Sequence, residues 1–511
     1  MPPIGLIAIG SYLHSKGHEV KIIDCREIIF KHRTNDYIPF ILDTVREFQP
    51  DIVGINMLTA LFNEAKRLSG ELKKEFPGIS IIAGGPHPSI EPVLTFQQNQ
   101  YIDAICIGPG EEVCLDVLDE RSIKDIPGLM HKEQVEDFKP RAVELDIDKY
   151  PFPNYNLVDR NYYMDFTLST LIGWGFSGIA TLTSRSCPYS CKFCASDWSK
   201  PVRYHSAEYV VRLAKYLSGY NIDAIVFGDD TLAVKKERLD GICEGFIKEK
   251  IFWPYSKLRW FAALRADQVN PVMLKQMKDA GCFSINIGIE SGSDRMLRIM
   301  NKRTTMEINR RACAYVNEAG LYLGASFMVG IPGESLEDMQ QTIDFMEELN
   351  SNSKSFGVFR PLPGSPFYNE FLQNGTLSKD KLDWENIGNF TSRSKYLFSR
   401  VPRSQFEAFV DSAKKRIEKD NWVAIHEDVL SKYPRLVKQI AQQTVIKIAK
   451  ADAYGSQNHY SYNPLSLLLF IKFTKLVLRN LIPLEWRRRV NNLLRGINES
   501  SIPIYSNKEQ R

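Results

Sequence analysis

"GIATLTSRSCPYSCKFC", residues 178–194, passes from a short apolar run into three cysteines spaced Cys-x₃-Cys-x₂-Cys. The run "GIATLTS" (178–184) predicts a buried strand, so Cys187, Cys191 and Cys194 fall on the loop that leaves its carboxyl end. Three is an open count. A disulfide consumes cysteines in pairs, and a structural zinc site usually closes with four ligands. "CKFC" alone is compatible with a redox Cys-x-x-Cys or half of a zinc site, but no cysteine or histidine pair lies nearby in sequence to complete one. On a cubane iron–sulfur cluster, three thiolates satisfy three irons and leave the fourth open to a small chelating molecule.

Downstream, strand candidates recur at 223–229, 258–264, 283–290, 322–330 and 355–361. Amphipathic stretches such as "SAEYVVRLAKYLSGY" separate them. Six βα units with right-handed crossovers predict a partial (β/α)6 barrel over 178–365. Such folds hold their chemistry at the carboxyl ends of strands, where this chain places Gly228, Asp229 and Asp230, then Arg265, then Glu290 and Ser291, then Gly330, Ile331 and Pro332. Residue type alone leaves blander roles open: an Asp-rich turn, a surface arginine, helix caps.

Upstream, residues 1–125 alternate helix-like segments with strand candidates at 19–24, 51–56, 79–85 and 102–108, a doubly wound, Rossmann-like α/β pattern. The pattern opens on a helix, "IGLIAIGSYLHSKG", where such a domain usually opens on a strand. Residues 126–177, dense in Pro, Gly and aromatics, read as a linker. Residues 366–511 read as a mainly helical accessory region.

A chain of 511 residues exceeds what one core organises, so two or three domains are expected. A net charge of +4 is too small to argue for nucleic acid as a partner. Nine cysteines without paired spacing and no signal peptide point to a reducing cytoplasm.

The triad after the first barrel strand, with the strand-end residues in register behind it, resembles the radical S-adenosylmethionine (SAM) superfamily. The resemblance implies that Cys187, Cys191 and Cys194 ligate a 4Fe–4S cluster, and that Phe193 lies against the adenine of SAM. Gly228, Asp229 and Asp230 stand where the family carries a Gly-Gly-Glu segment for the SAM ammonium, and they depart from it. Arg265 would pair with the SAM carboxylate as a fork-shaped donor. Glu290 would accept from the ribose hydroxyls, Ser291 would meet the carboxylate, and Gly330, Ile331 and Pro332 would bring backbone to the adenine. The cluster would pass an electron, drawn from a flavodoxin or ferredoxin, into SAM to give a 5′-deoxyadenosyl radical.

"LTAL", "AGGPHPS" and "IGPGEE" in the first domain resemble the cobalamin-binding domain that precedes some radical SAM cores. That resemblance implies that Thr59, Ala60, Leu61, Gly84 and Gly85 embrace the nucleotide tail of cobalamin. The family's first strand and its loop are missing, and the lower-ligand motif Asp-x-His-x-x-Gly occurs nowhere. His87 reads as a satisfied loop residue. The implied activity is methylation of an unactivated carbon in a small-molecule substrate by way of methylcobalamin. The alternatives are radical cyclisation or rearrangement, and a non-catalytic cobalamin or SAM sensor.

Near the carboxyl end, "SLLLFIKFTKLVLRNLIPLEWRRRV" (466–490) sets Lys472, Lys475 and Arg479 as one stripe of an apolar helix. It suits the plane of an anionic membrane surface better than a membrane span, and a hydrophobic or lipid substrate would accompany such contact. The alternative is a helix packed on the barrel.

Overall fold

The structure, a computed structural model, describes residues 2–432 apart from 33, 120–124, 134, 161, 164–177 and 197–200, with side chains described to residue 417. The segments "IGWGFSG" and 466–490 therefore lie, wholly or almost wholly, outside the described residues. The chain divides into two compact units, residues 1–172 with 176–424, and residues 173–175 with 425–511. Both larger sheets lie in the first.

Its amino-terminal sheet has the order β1-β2-β3-β4, with β1 Ile52–Asn56, β2 Ser80–Gly84 and β3 Ala104–Cys106 parallel and β4 Leu129–His131 antiparallel to β3. The last of these lies inside the stretch read as linker. The strand expected over 19–24 is not one. In a doubly wound sheet of order 2-1-3-4-5 the second strand is an edge that pairs only with the first, and no described strand lies beside 19–24. The segment has no regular secondary structure, and Ile22 packs against Gly10 of helix Ile4–Ser15. The same gap leaves β1 as an edge, with Gly54 and Asn56 exposed.

The second sheet holds β5 Gly178–Thr181, β8 Ala224–Phe227, β9 Arg259–Leu264, β10 Cys282–Glu290, β11 Tyr322–Val329 and β12 Ser353–Val358. All six are parallel and stand in chain order, the expected open (β/α)6 barrel. Two-residue strands β6 Ser184–Arg185 and β7 Arg203–Tyr204 form a small antiparallel ladder that closes the base of the cysteine loop. Along β10, Ile285, Ile287 and Ile289 are fully buried in the core shared with the helices, while Asn286 on the opposite face is exposed.

Helices after the strands start where the sequence supplies a cap: Ser206, Asn270, Thr305 and Ser335 each accept from a backbone N–H three residues on. At the centre, Trp260 donates to the Ala280 carbonyl at 2.9 Å and packs against Phe227, Phe246 and Phe252. The accessory region is helical at Pro366–Gln373, Trp384–Ile387 and Arg403–Lys432. It reaches back to the amino-terminal domain, where Tyr368 and Lys379 bond Glu91, and Trp384 donates to Gln98.

Candidate metal centre and cofactor site

Cys187, Cys191 and Cys194 share the loop after β5, near enough for their charges to act on one another. Cys191 is buried and the other two are half-buried. Burial pushes the Cys187 and Cys194 thiols up, and each is raised further by Cys191 and by the carboxylate of Asp230. The loop enters through Ser186, whose φ of 71° lies in the left-handed region that a non-glycine residue enters at a cost. Such strain persists only where surroundings impose it, and here they do. Asp229, fully buried after β8, accepts from Thr183 N and Thr183 Oγ1 at 2.9 Å each and from Ser184 Oγ. Arg238 donates to Thr183 Oγ1 at 2.6 Å and to the Thr183 carbonyl at 2.9 Å. Burial raises the Asp229 carboxyl above its ordinary range, and those hydrogen bonds oppose the rise.

The far side of the loop is gripped by the turn after helix Asp294–Ile299. Lys192 N donates to the Met300 carbonyl at 2.9 Å, and Asn301 Nδ2 to the Ser190 carbonyl at 2.8 Å. Phe367 N donates to the Lys192 carbonyl at 3.0 Å. Arg265, at the end of β9, stacks on Tyr189 at 3.8 Å, pairs with Asp267 at 3.0 Å, and sets Nη1 3.5 Å from Cys191 Sγ.

Glu290 ends β10 with φ 69°, at a register shift against β11. Its carboxylate meets Lys302 Nζ at 2.9 Å. Phe193 packs against the core that contains Met296, Leu297 and Ile331, and its ring lies 5.8 Å from Lys302 Nζ. Gly330 has φ 84°, and with Ile331 it donates backbone N–H groups to Glu334, which is wholly buried. Burial pushes the Glu334 carboxyl up to about 8.

The strand-end residues thus converge unequally. Phe193, Arg265 and Glu290 gather with the triad, Asp230 acts on its thiols, and Gly330 and Ile331 adjoin Phe193 through its core. Asp229, expected at the ammonium, accepts here from the backbone and hydroxyl of Thr183 and the hydroxyl of Ser184. Ser291, expected at the SAM carboxylate, is fully buried with its hydroxyl 3.0 Å from that of Thr342. Lys302, Asn301, Tyr189 and Glu334 sit within the motif stretches without a role of their own at sequence level; their surroundings mark them.

In the amino-terminal domain, the turn after β1 exposes Asn56, Leu58, Ala60 and Leu61, the two leucines to 45% and 50%. An apolar turn left bare at a strand's carboxyl end fits the flank of a bulky ring system. Gly388 backs Ala60 so closely that a Cβ there would fall 2.3 Å from the Ala60 Cα. Gly85 has φ 97°, and a Cβ there would fall 2.2 Å from Asn56 Oδ1, so the chain's own packing demands glycine. Gly84 stays open. Thr59 is turned inward, its hydroxyl 3.2 Å from His87 Nδ1, and burial lowers that imidazole to about 4. His87 packs against Phe62 and Trp384. The residues therefore fit cobalamin through Leu58, Ala60, Leu61 and Gly84, with Thr59, Gly85 and His87 shaping the turn beneath.

A pair between the two domains links these surfaces. Arg185, two residues before Cys187, is ion-paired with buried Glu111 at the start of helix Glu111–Leu118, over the ring of Tyr150.

The model of the radical SAM superfamily matches residues 181–346, and that of the B12 binding domain matches residues 1–118. The chain is 30% identical over 387 residues to an uncharacterized methyltransferase of Pyrococcus horikoshii, covering 74% of this chain and 80% of that protein. It is 24% identical to the anaerobic magnesium-protoporphyrin IX monomethyl ester cyclase of Rubrivivax gelatinosus, over 72% of this chain and 66% of the relative. In fold it is similar to the radical SAM methyltransferase TsrM of Kitasatospora setae, with a TM-score of 0.65 at 18% identity, covering 81% of this chain and 86% of that one. The chain belongs to the radical SAM superfamily, among the members that also carry a B12 binding domain. It is a radical SAM enzyme of methyltransferase type, whose cofactors are a 4Fe–4S cluster, SAM and cobalamin.

Proposed function

We propose that the enzyme transfers a methyl group to an unactivated carbon of a small-molecule substrate, with reducing electrons supplied by an external flavodoxin or ferredoxin. The observation that carries the reading is the Arg185–Glu111 pair, which ties the loop bearing Cys187, Cys191 and Cys194 to the domain bearing Leu58, Leu61 and Gly84. When bound, the cluster supplies an electron to SAM and cobalamin supplies a methyl group. The chain's own part would be to hold the cysteine loop against the amino-terminal domain and to keep water out. Asp229 and the Met300–Arg303 turn fix the loop, Arg265 and Glu290 offer charged partners beside it, and Phe193 and Ile331 offer an apolar wall. The methyltransferase of Pyrococcus horikoshii supports methyl transfer. The cyclase of Rubrivivax gelatinosus supports a second reading, radical cyclisation. The basic apolar segment 466–490 supports contact with an anionic membrane surface and a hydrophobic substrate.

Anaerobic reconstitution with SAM deuterated at its methyl group tests the proposal. 5′-Deoxyadenosine together with a product three deuterons heavier in its methyl group is expected. 5′-Deoxyadenosine with an unlabelled product would transfer the reading to cyclisation, and neither 5′-deoxyadenosine nor a labelled product would favour a sensor.

A further inference from the structure

Among the buried cations, Lys302 lies in the turn that grips the cysteine loop. Lys302 is 5% exposed, and burying a lysine is costly unless it is paired. Its Nζ meets Glu290 Oε1 at 2.9 Å and lies 5.8 Å from the centre of the Phe193 ring. Its carbonyl accepts from Arg265 Nη2, the guanidinium that also faces Cys191. The flanking residues Asn301 and Arg303 both have positive φ, 51° and 57°, so the chain accepts left-handed backbone on either side of it. The same turn holds the cysteine loop through the Met300 carbonyl and Asn301 Nδ2. Room for the ion pair exists because residue 288 is glycine. A Cβ there would fall 2.5 Å from Glu290 Oε1 and 3.1 Å from Lys302 Nζ.

We infer that Lys302 is the positioning residue of the SAM site. One side chain touches the carboxylate and the ring at two separate strand-end segments, and its backbone holds the guanidinium at a third. It sets the direction of the Glu290 carboxylate, a residue whose own left-handed backbone leaves it dependent on a partner. It also fixes the Phe193 ring one residue from the ligand Cys194. The inference rests on SAM lying at these strand ends.

The test uses full-length protein reconstituted anaerobically, with Lys302→Met, Lys302→Arg and Gly288→Ala beside the parent. Iron content and the cluster's EPR signal are measured first, then SAM affinity by equilibrium dialysis and the change that SAM produces in the EPR signal. Lys302→Met is expected to keep its cluster, lose about tenfold or more in SAM affinity, as for a lost charge-assisted hydrogen bond, and give a weakened SAM-induced EPR change. Lys302→Arg restores most of both. Gly288→Ala, which displaces the pair without removing it, shows the same loss. SAM binding by Lys302→Met within twofold of the parent would overturn the inference, as would loss of SAM binding only in step with loss of iron, or no rescue by arginine. A parent that holds its cluster and does not bind SAM would instead sink the SAM site itself.

Discussion

Arg265 Nη1 lies 3.5 Å from Cys191 Sγ, and the same guanidinium is stacked on Tyr189 between two ligand positions of the triad. A cation and hydrogen-bond donor held against a cluster thiolate favours the reduced, more negative cluster, since hydrogen bonds to ligand sulfur raise its potential. Arg265→Met is therefore expected to lower the cluster's midpoint by roughly 60 mV, a tenfold change for a one-electron couple. Potentiometric titration followed by EPR reads this directly. An unchanged midpoint would confine Arg265 to ligand binding.

The triad itself is tested by single substitutions. Cys187→Ala, Cys191→Ala and Cys194→Ala should each abolish iron–sulfur absorption and 5′-deoxyadenosine formation. Cys25, Cys106, Cys114, Cys243, Cys282 and Cys313 stand on other elements, several of them in packed cores. Replacing them costs packing and leaves the cluster in place.

Asp229 makes a contrasting prediction. Its carboxylate satisfies one backbone and two side-chain donors of Thr183 and Ser184, all buried. Asp229→Ala strands those donors and should cost about 2–3 kcal/mol of stability, with cluster loading falling as the loop loosens. Asp229→Asn, which retains one acceptor, should fall between. Urea unfolding and iron content measured on the same samples check both. Full stability in Asp229→Ala would return this residue to the ligand role.

Glu334 should give the fold a pH dependence. Burial moves its carboxyl from an ordinary 4.5 to about 8. Between those values the folded chain holds a proton that the unfolded chain releases. The stabilisation is complete below about pH 4.5, declines as pH rises, and is gone above about 8, with a slope of up to about 1.4 kcal/mol per pH unit. Glu334→Gln keeps an acceptor for Gly330 and Ile331 and cannot ionise. It should match the parent near pH 5 and exceed it at pH 9. Parallel unfolding curves for parent and variant across this range would remove Glu334 as the cause.

Deleting residues 464–511 should release the protein from anionic phospholipid vesicles while SAM cleavage persists, because the cationic stripe and its apolar flanks go together. Flotation at low salt measures it. If the full chain ignores such vesicles, the membrane proposal fails, and the hydrophobic substrate loses its support.

The sequence by itself determined the order of elements, the open six-stranded barrel and the loop that carries the three cysteines. Each rests on local information: apolar β-branched runs bounded by turn residues, caps at helix starts, and three cysteines within eight positions. Tertiary structure decided what those residues face. Asp229 and Asp230 are adjacent in the chain, yet the first is buried under Thr183 while the second acts on the thiols, a division no spacing rule carries. Ser291 turns to Thr342, contributed from a helix about fifty residues away. Lys302 looks like a surface lysine after a short helix until Glu290 and Phe193 are seen around it. Segment 19–24 has a strand's composition and no ladder, since a strand exists only with a partner to bond. Residue type and local periodicity set what a segment prefers; packing between distant segments sets which preferences are met and which side chains are left together to do chemistry.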